Sequence, residues 1–215
     1  MSIKYMGSKN RIAKYIVPII QNYIDTNNID TYIEPFCGGA NIIDKIKCKN
    51  KIGSDINKYL IALLNYAKDP NNIFPDEINR ETYNSVRNSY NKNLSLYKDE
   101  YVGIVGFLAS YNGRFFDGGY AKSGYEKTKN GLRYRNYYQE ALNNLVKQSE
   151  NLKDCIFKCC DYLEYKDKNI KKSVIYLDPH IKILNNSKIQ KILTMKIFGI
   201  SQGICQKKIF VLLVN

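Results

Sequence analysis

The chain has no tryptophan and a single histidine, His180, among its 215 residues. One imidazole leaves little for a Cys/His metal centre. The six cysteines do not supply one, since Cys37, Cys48, Cys155, Cys159, Cys160 and Cys205 form no C-x-x-C pair and no zinc spacing. No apolar run reaches the roughly 18 residues of a membrane span, and no charged-then-apolar signal opens the sequence. A cytoplasmic protein with reduced thiols, no metal and no membrane contact is therefore expected. Acid is also scarce: 20 Asp+Glu stand against 33 Lys+Arg, giving a net charge of +13 and favouring a polyanionic partner. The plain alternative is AT-rich coding, which would raise Lys, Asn, Ile and Tyr and remove Trp.

What is present is more specific. Tyr32-Ile33-Glu34-Pro35-Phe36-Cys37-Gly38-Gly39-Ala40-Asn41 reads as an apolar strand that breaks into a Pro/Gly turn and resumes as helix. That order places backbone N–H groups where a nucleotide-like ligand can sit. A second short strand, Lys51–Ser54, ends on Asp55. An acid about 20 residues after the turn is where a ribose hydroxyl pair is held. Asp55 could equally cap the following helix. A third buried run, Val174-Ile175-Tyr176-Leu177, ends on Asp178-Pro179.

At 215 residues the chain suits one α/β domain with an insertion, large enough to bury about 70% of its unfolded surface. Ser8 is expected to cap a helix running to about Tyr23, with Ile12, Ile16, Ile19, Ile20 and Tyr23 on one side. A strand over Thr31–Phe36, a helix from about Asn41, a strand over Lys51–Ser54 and a helix over Asn57–Lys68 follow. From Pro70 to Asn151 the period changes to polar, Tyr- and Asn-rich helical segments around a Gly-rich connection at 112–131. The βα rhythm returns with Cys155–Cys159 and Val174–Leu177. The partition is a donor-binding half at 1–69, an insertion at 70–151, further sheet strands at 152–179 and a tail at 180–215.

The insertion interleaves cations with aromatics, notably Tyr111, Asn112, Arg114, Arg133, Tyr134 and Arg135. This mix suits phosphate contact with base or sugar stacking, and its arginines can fork onto guanine or phosphate. The alternative is a solvated loop, and Asn112-Gly113 also suits a hairpin turn.

With Lys4-Tyr5-Met6-Gly7-Ser8-Lys9, Glu34-Pro35-Phe36-Cys37-Gly38-Gly39, Ser54-Asp55-Ile56-Asn57, Ser110–Phe116 and Asp178-Pro179, the chain resembles the Dam-type (D12 class) adenine-N6 DNA methyltransferases. The resemblance covers the chain from its start to about Pro179. It implies a Rossmann-like α/β sheet that binds S-adenosylmethionine (SAM), carrying a mainly helical DNA-recognition insertion. It implies SAM contacts from Tyr5, Lys9, Glu34, Pro35, Phe36, Gly38, Gly39, Asp55, Asp161, Tyr162 and Asp178. Asp161 could instead cap a short turn, and Tyr5 and Lys9 could be a solvated terminus. Asp178 and Pro179 would receive the amine of an adenine flipped from its duplex. The implied partner is double-stranded DNA, bound by a monomer with a cognate restriction endonuclease encoded nearby.

One motif departs from that pattern. Asp-Pro-Pro-Tyr is expected where Asp178-Pro179-His180-Ile181 stands, and isoleucine offers no π face to a flipped base. Codons for Asp-Pro-Pro-Tyr-Lys-Asn-Thr, ending CCA TAT AAA AAT ACT, read Asp-Pro-His-Ile-Lys-Ile-Leu when one C is lost, which is Asp178 to Leu184. The shifted frame of Thr194–Gly199 can likewise encode the acid-Phe-Trp run of the family. The sequence thus points to an out-of-frame tail, a sheet short of its last strands and impaired catalysis, with Ile209–Val214 apolar enough to form a strand by composition alone. Two other classes are weighed against this reading. A Rossmann NAD-binding oxidoreductase lacks its Gly-x-Gly-x-x-Gly and gives Asp178-Pro179 no role. A non-enzymatic DNA-binding remnant fits the altered tetrapeptide.

Overall fold

The computed structural model describes residues 3–129, 131–165, 172–178 and, for the backbone, 210–214. The chain packs as two compact units, one of residues 9–56 and 154–215, the other of residues 1–8 and 57–153.

The first unit is a five-stranded sheet in the order β5-β2-β1-β6-β7. Its strands are β1 (Thr31–Glu34), β2 (Asn50–Asp55), β5 (Cys155–Cys159), β6 (Ser173–Leu177) and β7 (Phe210–Val214). The first four run parallel, with Ile33 opposite Ile52 and Ile175, and Asp55 opposite Cys159. Parallel strands are covered on both faces and so read as unbroken apolar runs, as Val174-Ile175-Tyr176 does. Ile33, Ile175 and Tyr165 form a buried cluster against which Ile52, Cys160 and Leu177 pack. β7 joins β6 antiparallel, with Leu177 opposite Phe210.

Two expected features of this unit are corrected. Helix α1 spans Ala13–Thr26 and buries Ala13, Ile16, Ile20 and Ile24, but Ser8 is not its cap. The Lys9 carbonyl accepts from both Ile12 N and Ala13 N, so a separate turn forms first and the helix starts later. No helix grows from Asn41 either. A single tight turn at Ile43–Lys45 stands there, and the chain is extended again by Ile46. The first backbone donor of that turn is bound by a side chain from β1, described below. Elsewhere β1 stops at Glu34, before Pro35, which has no N–H for a ladder bond.

The second unit is mainly helical: α2 (Lys58–Ala67), α3 (Arg80–Asn91), α4 (Asp99–Gly103) and α5 (Tyr137–Ser149), with the hairpin β3 (Gly124–Thr128) and β4 (Gly131–Arg135). Asparagines begin three of the helices. Asn57 Oδ1 accepts from Tyr59 N and Leu60 N, Asn79 Oδ1 from Thr82 N, and Asn136 Oδ1 from Gln139 N. Asn57, then, is the α2 cap that Asp55 was a candidate for. α4 continues into a wide buried turn at Ile104–Leu108. Gly103 lets α4 approach α2, because a Cβ there would lie 2.3 Å from the Tyr59 carbonyl. The rings of Tyr59, Tyr90, Phe107, Phe115 and Phe116 form the aromatic core. Packing therefore divides the chain at 56/57 and 153/154, and α2 and residues 1–8 go with the helices. Among the described residues no helix is long and apolar enough to cross a membrane.

Candidate active site

In the sheet unit the chemistry collects where the parallel strands end. β1 is flanked by β2 on one side and β6 on the other, so the strand order reverses there and opens the crevice in which α/β sheets hold ligands. Glu34 ends β1, Asp55 ends β2 and Asp178 follows β6.

The Gly38-Gly39 turn is held by both of the first two acids. Asp55 Oδ2 accepts from Gly38 N at 3.2 Å, and Cys37 N donates to the Ser54 carbonyl at 2.9 Å. Gly38 and Ala40 have φ of 47° and 55°, the left-handed region in which glycine is unstrained and alanine is not. Gly53 is required as well: a Cβ on it would meet the Phe157 ring at 2.8 Å and the Cys37 side chain at 3.2 Å.

Glu34 is buried, and its Oε2 accepts from Ile43 N at 3.0 Å and from the Tyr32 hydroxyl at 3.2 Å. The resemblance offers it as a contact for SAM; in the structure its carboxyl braces the far end of the glycine turn. Burial pushes the Glu34 carboxyl well above the usual carboxylate range. The two hydrogen bonds oppose the rise, and the Asp178 charge adds to it. Burial likewise raises the Tyr176 phenol, with Asp178 and Glu34 adding. Lys9 Nζ forms an ion pair with Asp178 Oδ2, both side chains being largely buried.

Phe36 and Tyr162 pack with centroids 5.1 Å apart and their rings tilted by 34°. Asp161 is exposed, and its Oδ1 accepts from Leu163 N at 2.8 Å, so it caps the turn Tyr162–Tyr165. Of its two sequence readings, the cap is the one realised in this state. The Asn41 Oδ1 and Tyr176 hydroxyl are buried without a hydrogen bond among the described residues. Neither was singled out from sequence, where an Asn after a Gly-Gly turn reads as a helix start. Pro179, the second catalytic candidate, lies outside the described residues, as do His180 and Ile181.

In the helical unit Tyr5 packs on Phe107, with centroids 5.9 Å apart. Asn112 has φ 54° and Gly113 φ 65°, in a tight turn rather than a hairpin. A Cβ on Gly113 would lie 1.9 Å from the Lys4 carbonyl, so this turn seats the N-terminal segment. Tyr111 and Arg114 are exposed.

The hairpin falls at β3–β4, and strand alternation sorts it into two faces. Tyr125 pairs with Tyr134 and Lys127 with Leu132 on one face; Glu126 pairs with Arg133 on the other. Tyr125, Leu132 and Tyr134 are 74%, 71% and 56% exposed. On the opposite face Arg135 Nε and Nη2 engage Glu140 at 3.0 Å, Arg135 Nη1 reaches Glu126 at 3.4 Å, and Arg133 Nη2 reaches Glu140 at 3.5 Å. Arg135 therefore ties the hairpin to α5. Leu132 and Glu140 were missed from sequence, although the period-2 pattern of 125–127 and 132–135 carries the face assignment.

Residues 5–211 match the profile of the D12 class N6 adenine-specific DNA methyltransferases. The chain belongs to that family. It is 30% identical over 210 residues to the type II methyltransferase M.MjaIII of Methanocaldococcus jannaschii, covering 86% of this chain and 70% of that protein. It is 23% identical to the type II methyltransferase M.FokI of Planomicrobium okeanokoites over 208 residues and 25% identical to the modification methylase StsI of Streptococcus sanguinis over 202 residues. In each of these two cases the match covers 86% of this chain and 29% of the relative. As a D12 methyltransferase, the chain is of an enzyme class that methylates adenine N6 in DNA. The mixed α/β sheet agrees with the fold that class implies.

Proposed function

We propose that this chain takes SAM as methyl donor at the carboxyl ends of β1 and β2 and receives the target adenine at Asp178. The observation that carries this reading is the Asp55 carboxylate folded onto Gly38 N beside the strand-order reversal. The residues there fit SAM in chemistry. Asp55 offers a carboxylate to paired ribose hydroxyls, and Asn41 Oδ1, buried and unpaired among the described residues, is an acceptor for a ligand that brings donors. Phe36 and Tyr162 are already at ring-contact distance, so a purine would lie against the pair rather than between its rings.

Bound SAM supplies an electrophilic methyl on a sulfonium. The Asp178 carboxylate, for its part, accepts one hydrogen of the adenine amine and turns the nitrogen lone pair toward that methyl. With SAM bound, the amine nitrogen would take the methyl as the S–C electron pair returned to sulfur, and Asp178 would hold the N6 hydrogen that leaves as a proton to solvent. Such catalysis is positioning and electrostatics rather than covalent chemistry.

DNA contact falls to the exposed hairpin face of Tyr125, Lys127, Leu132 and Tyr134, together with Tyr111 and Arg114. Two tyrosines and a leucine in solvent beside a lysine suit base stacking with phosphate contact. The names of the relatives place them in type II modification systems, so a cognate endonuclease is the natural partner of the pathway. The altered tetrapeptide supports a second point, that the gene lost one nucleotide near codon 180 and that the chain as written methylates poorly.

Calorimetry tests the donor site. Asp55→Ala should lose most of the SAM affinity, because charge-assisted bonds to both hydroxyls go with the carboxylate. Equal affinity in wild type and Asp55→Ala would remove Asp55 from the site, and tight NAD binding would restore the oxidoreductase reading.

A further inference from the structure

Resemblance makes Lys9 a lining residue of the donor pocket, yet its ammonium is spent on the acid at the end of β6. We propose that Lys9 is a positioning residue for Asp178, holding Oδ2 so that Oδ1 is the acceptor for the adenine amine. This inference rests on the assignment of Asp178 given above and adds a role for its partner.

Both ends of the contact are anchored. The Lys9 carbonyl accepts from Ile12 N at 3.0 Å and Ala13 N at 2.9 Å, which pins the lysine backbone at the head of α1. Asp178 follows a strand whose residues pair with β1 on one side, Ile175 opposite Ile33, and with β7 on the other. The two side chains are 14% and 13% exposed, so little water competes for the pair. A buried carboxylate that loses its cation is left uncompensated, which costs far more than breaking a pair at the surface. The surroundings make that loss worse here. Glu34 and Tyr176, the neighbours that feel the Asp178 charge, are themselves acids and bring it no second cation. An ion pair of fixed geometry holds a carboxylate aimed in one direction. A hydrogen-bond acceptor for a reacting amine needs that aim, since misplacement by about 1 Å can cost about 100-fold in rate.

The donor-ligand role and the positioning role make opposite claims, and lysine ammonium NMR separates them on the full chain as it exists. In protein labelled at lysine Nζ, the positioning role gives one slowly exchanging ammonium signal. It should vanish in Lys9→Arg, which assigns it, vanish in Asp178→Asn, and persist when SAM is added. A signal that survives Asp178→Asn but moves with SAM would make Lys9 a donor ligand and overturn the proposal, as would the absence of any protected signal. Calorimetry on the same samples reads the underlying assignment separately. Lys9→Met should keep SAM affinity within about 2-fold of wild type, while failure of the wild type to bind SAM would strike at the donor site and leave the ammonium result standing.

Single-turnover transfer of a tritiated methyl, in whichever of the two reading frames carries activity, completes the test. At saturating SAM, Lys9→Met should slow transfer by about 100-fold, the cost of a misplaced reactant. Lys9→Arg, which can also bind a carboxylate, should recover most of the rate. A Lys9→Met rate equal to wild type, or a loss that saturating SAM abolishes, refutes the positioning role.

Discussion

Glu34 offers the sharpest test of how the glycine turn is held, because one oxygen does the work. Oε2 receives both Ile43 N and the Tyr32 hydroxyl, and the residue is 3% exposed. Replacing it with alanine removes that acceptor and strands two buried donors, each worth about 1–3 kcal/mol, so Glu34→Ala should lose about 2–6 kcal/mol. Glutamine keeps an acceptor oxygen and mimics the protonated acid. The folded carboxyl lies well above the usual carboxylate range, chiefly through burial. A carboxyl raised on folding binds its proton more tightly in the native state, so its contribution is full below the unfolded pKa and is lost as pH rises through the folded one. Wild type should therefore lose stability across that window relative to Glu34→Gln, and the glutamine variant should be at least as stable at pH 8. Urea denaturation of the three proteins at several pH values measures this. If Glu34→Gln is as unstable as Glu34→Ala at pH 8, the charge is required and the reasoning from burial fails. A gap between wild type and Glu34→Gln that does not change with pH would refute the titration argument alone.

Two further outcomes follow from the site and the tail. Tyr134→Ala should weaken duplex binding by about 1–3 kcal/mol with little change in melting temperature, and Lys127→Ala should lower the salt slope by about 1, whereas Arg135→Ala should act through hairpin stability. Fluorescence anisotropy at several salt concentrations reads this, and salt-independent binding contradicts its electrostatic part. Restoring the reading frame from codon 180 should give SAM-dependent adenine methylation that Asp178→Ala abolishes, while changing His180 and Ile181 to Pro and Tyr alone should not. Robust tritiated-methyl incorporation by the chain as written would show the tail to be functional.

The sheet was legible because parallel strands announce themselves. β5 over Cys155–Cys159 falls on its expected bounds, and β1, β2 and β6 differ from theirs by one or two residues at one or both ends. Apolar runs ending on Gly or Asp leave little else for such segments to be. Errors arise at helix starts, where a cap-like residue does not fix whether or where a helix forms. Asn41 looks like the start of a helix, but only the turn Ile43–Lys45 stands there, its first donor taken by Glu34, and the chain is extended again by Ile46. Ser8 looks like a cap, yet the Lys9 carbonyl builds its own turn and defers the helix to Ala13. The Glu34 contact is set by tertiary position and the Lys9 turn by local backbone, and neither is encoded in the spacing of cap residues.

The hairpin shows the same limit in electrostatic form. Counting arginines at 133 and 135 suggests two free cations for a phosphate backbone. The count ignores Glu140, only five residues beyond Arg135, on the first turn of α5. Once the strands are paired, alternation turns Arg133 and Arg135 to one face and Tyr134 and Leu132 to the other, and Glu140 and Glu126 meet the arginines. Arg135, held by two carboxylates, must loosen those pairs before it can bind a phosphate and so brings less net attraction than its charge implies, whereas the exposed Arg133 pair costs little to break. The exposed face has no such prior engagement to dissolve for its tyrosines and leucine. Net charge therefore speaks to approach of the polyanion, while strand parity selects which side chains face it, and on that ground the DNA contact we propose for the hairpin falls to Tyr125, Lys127, Leu132 and Tyr134.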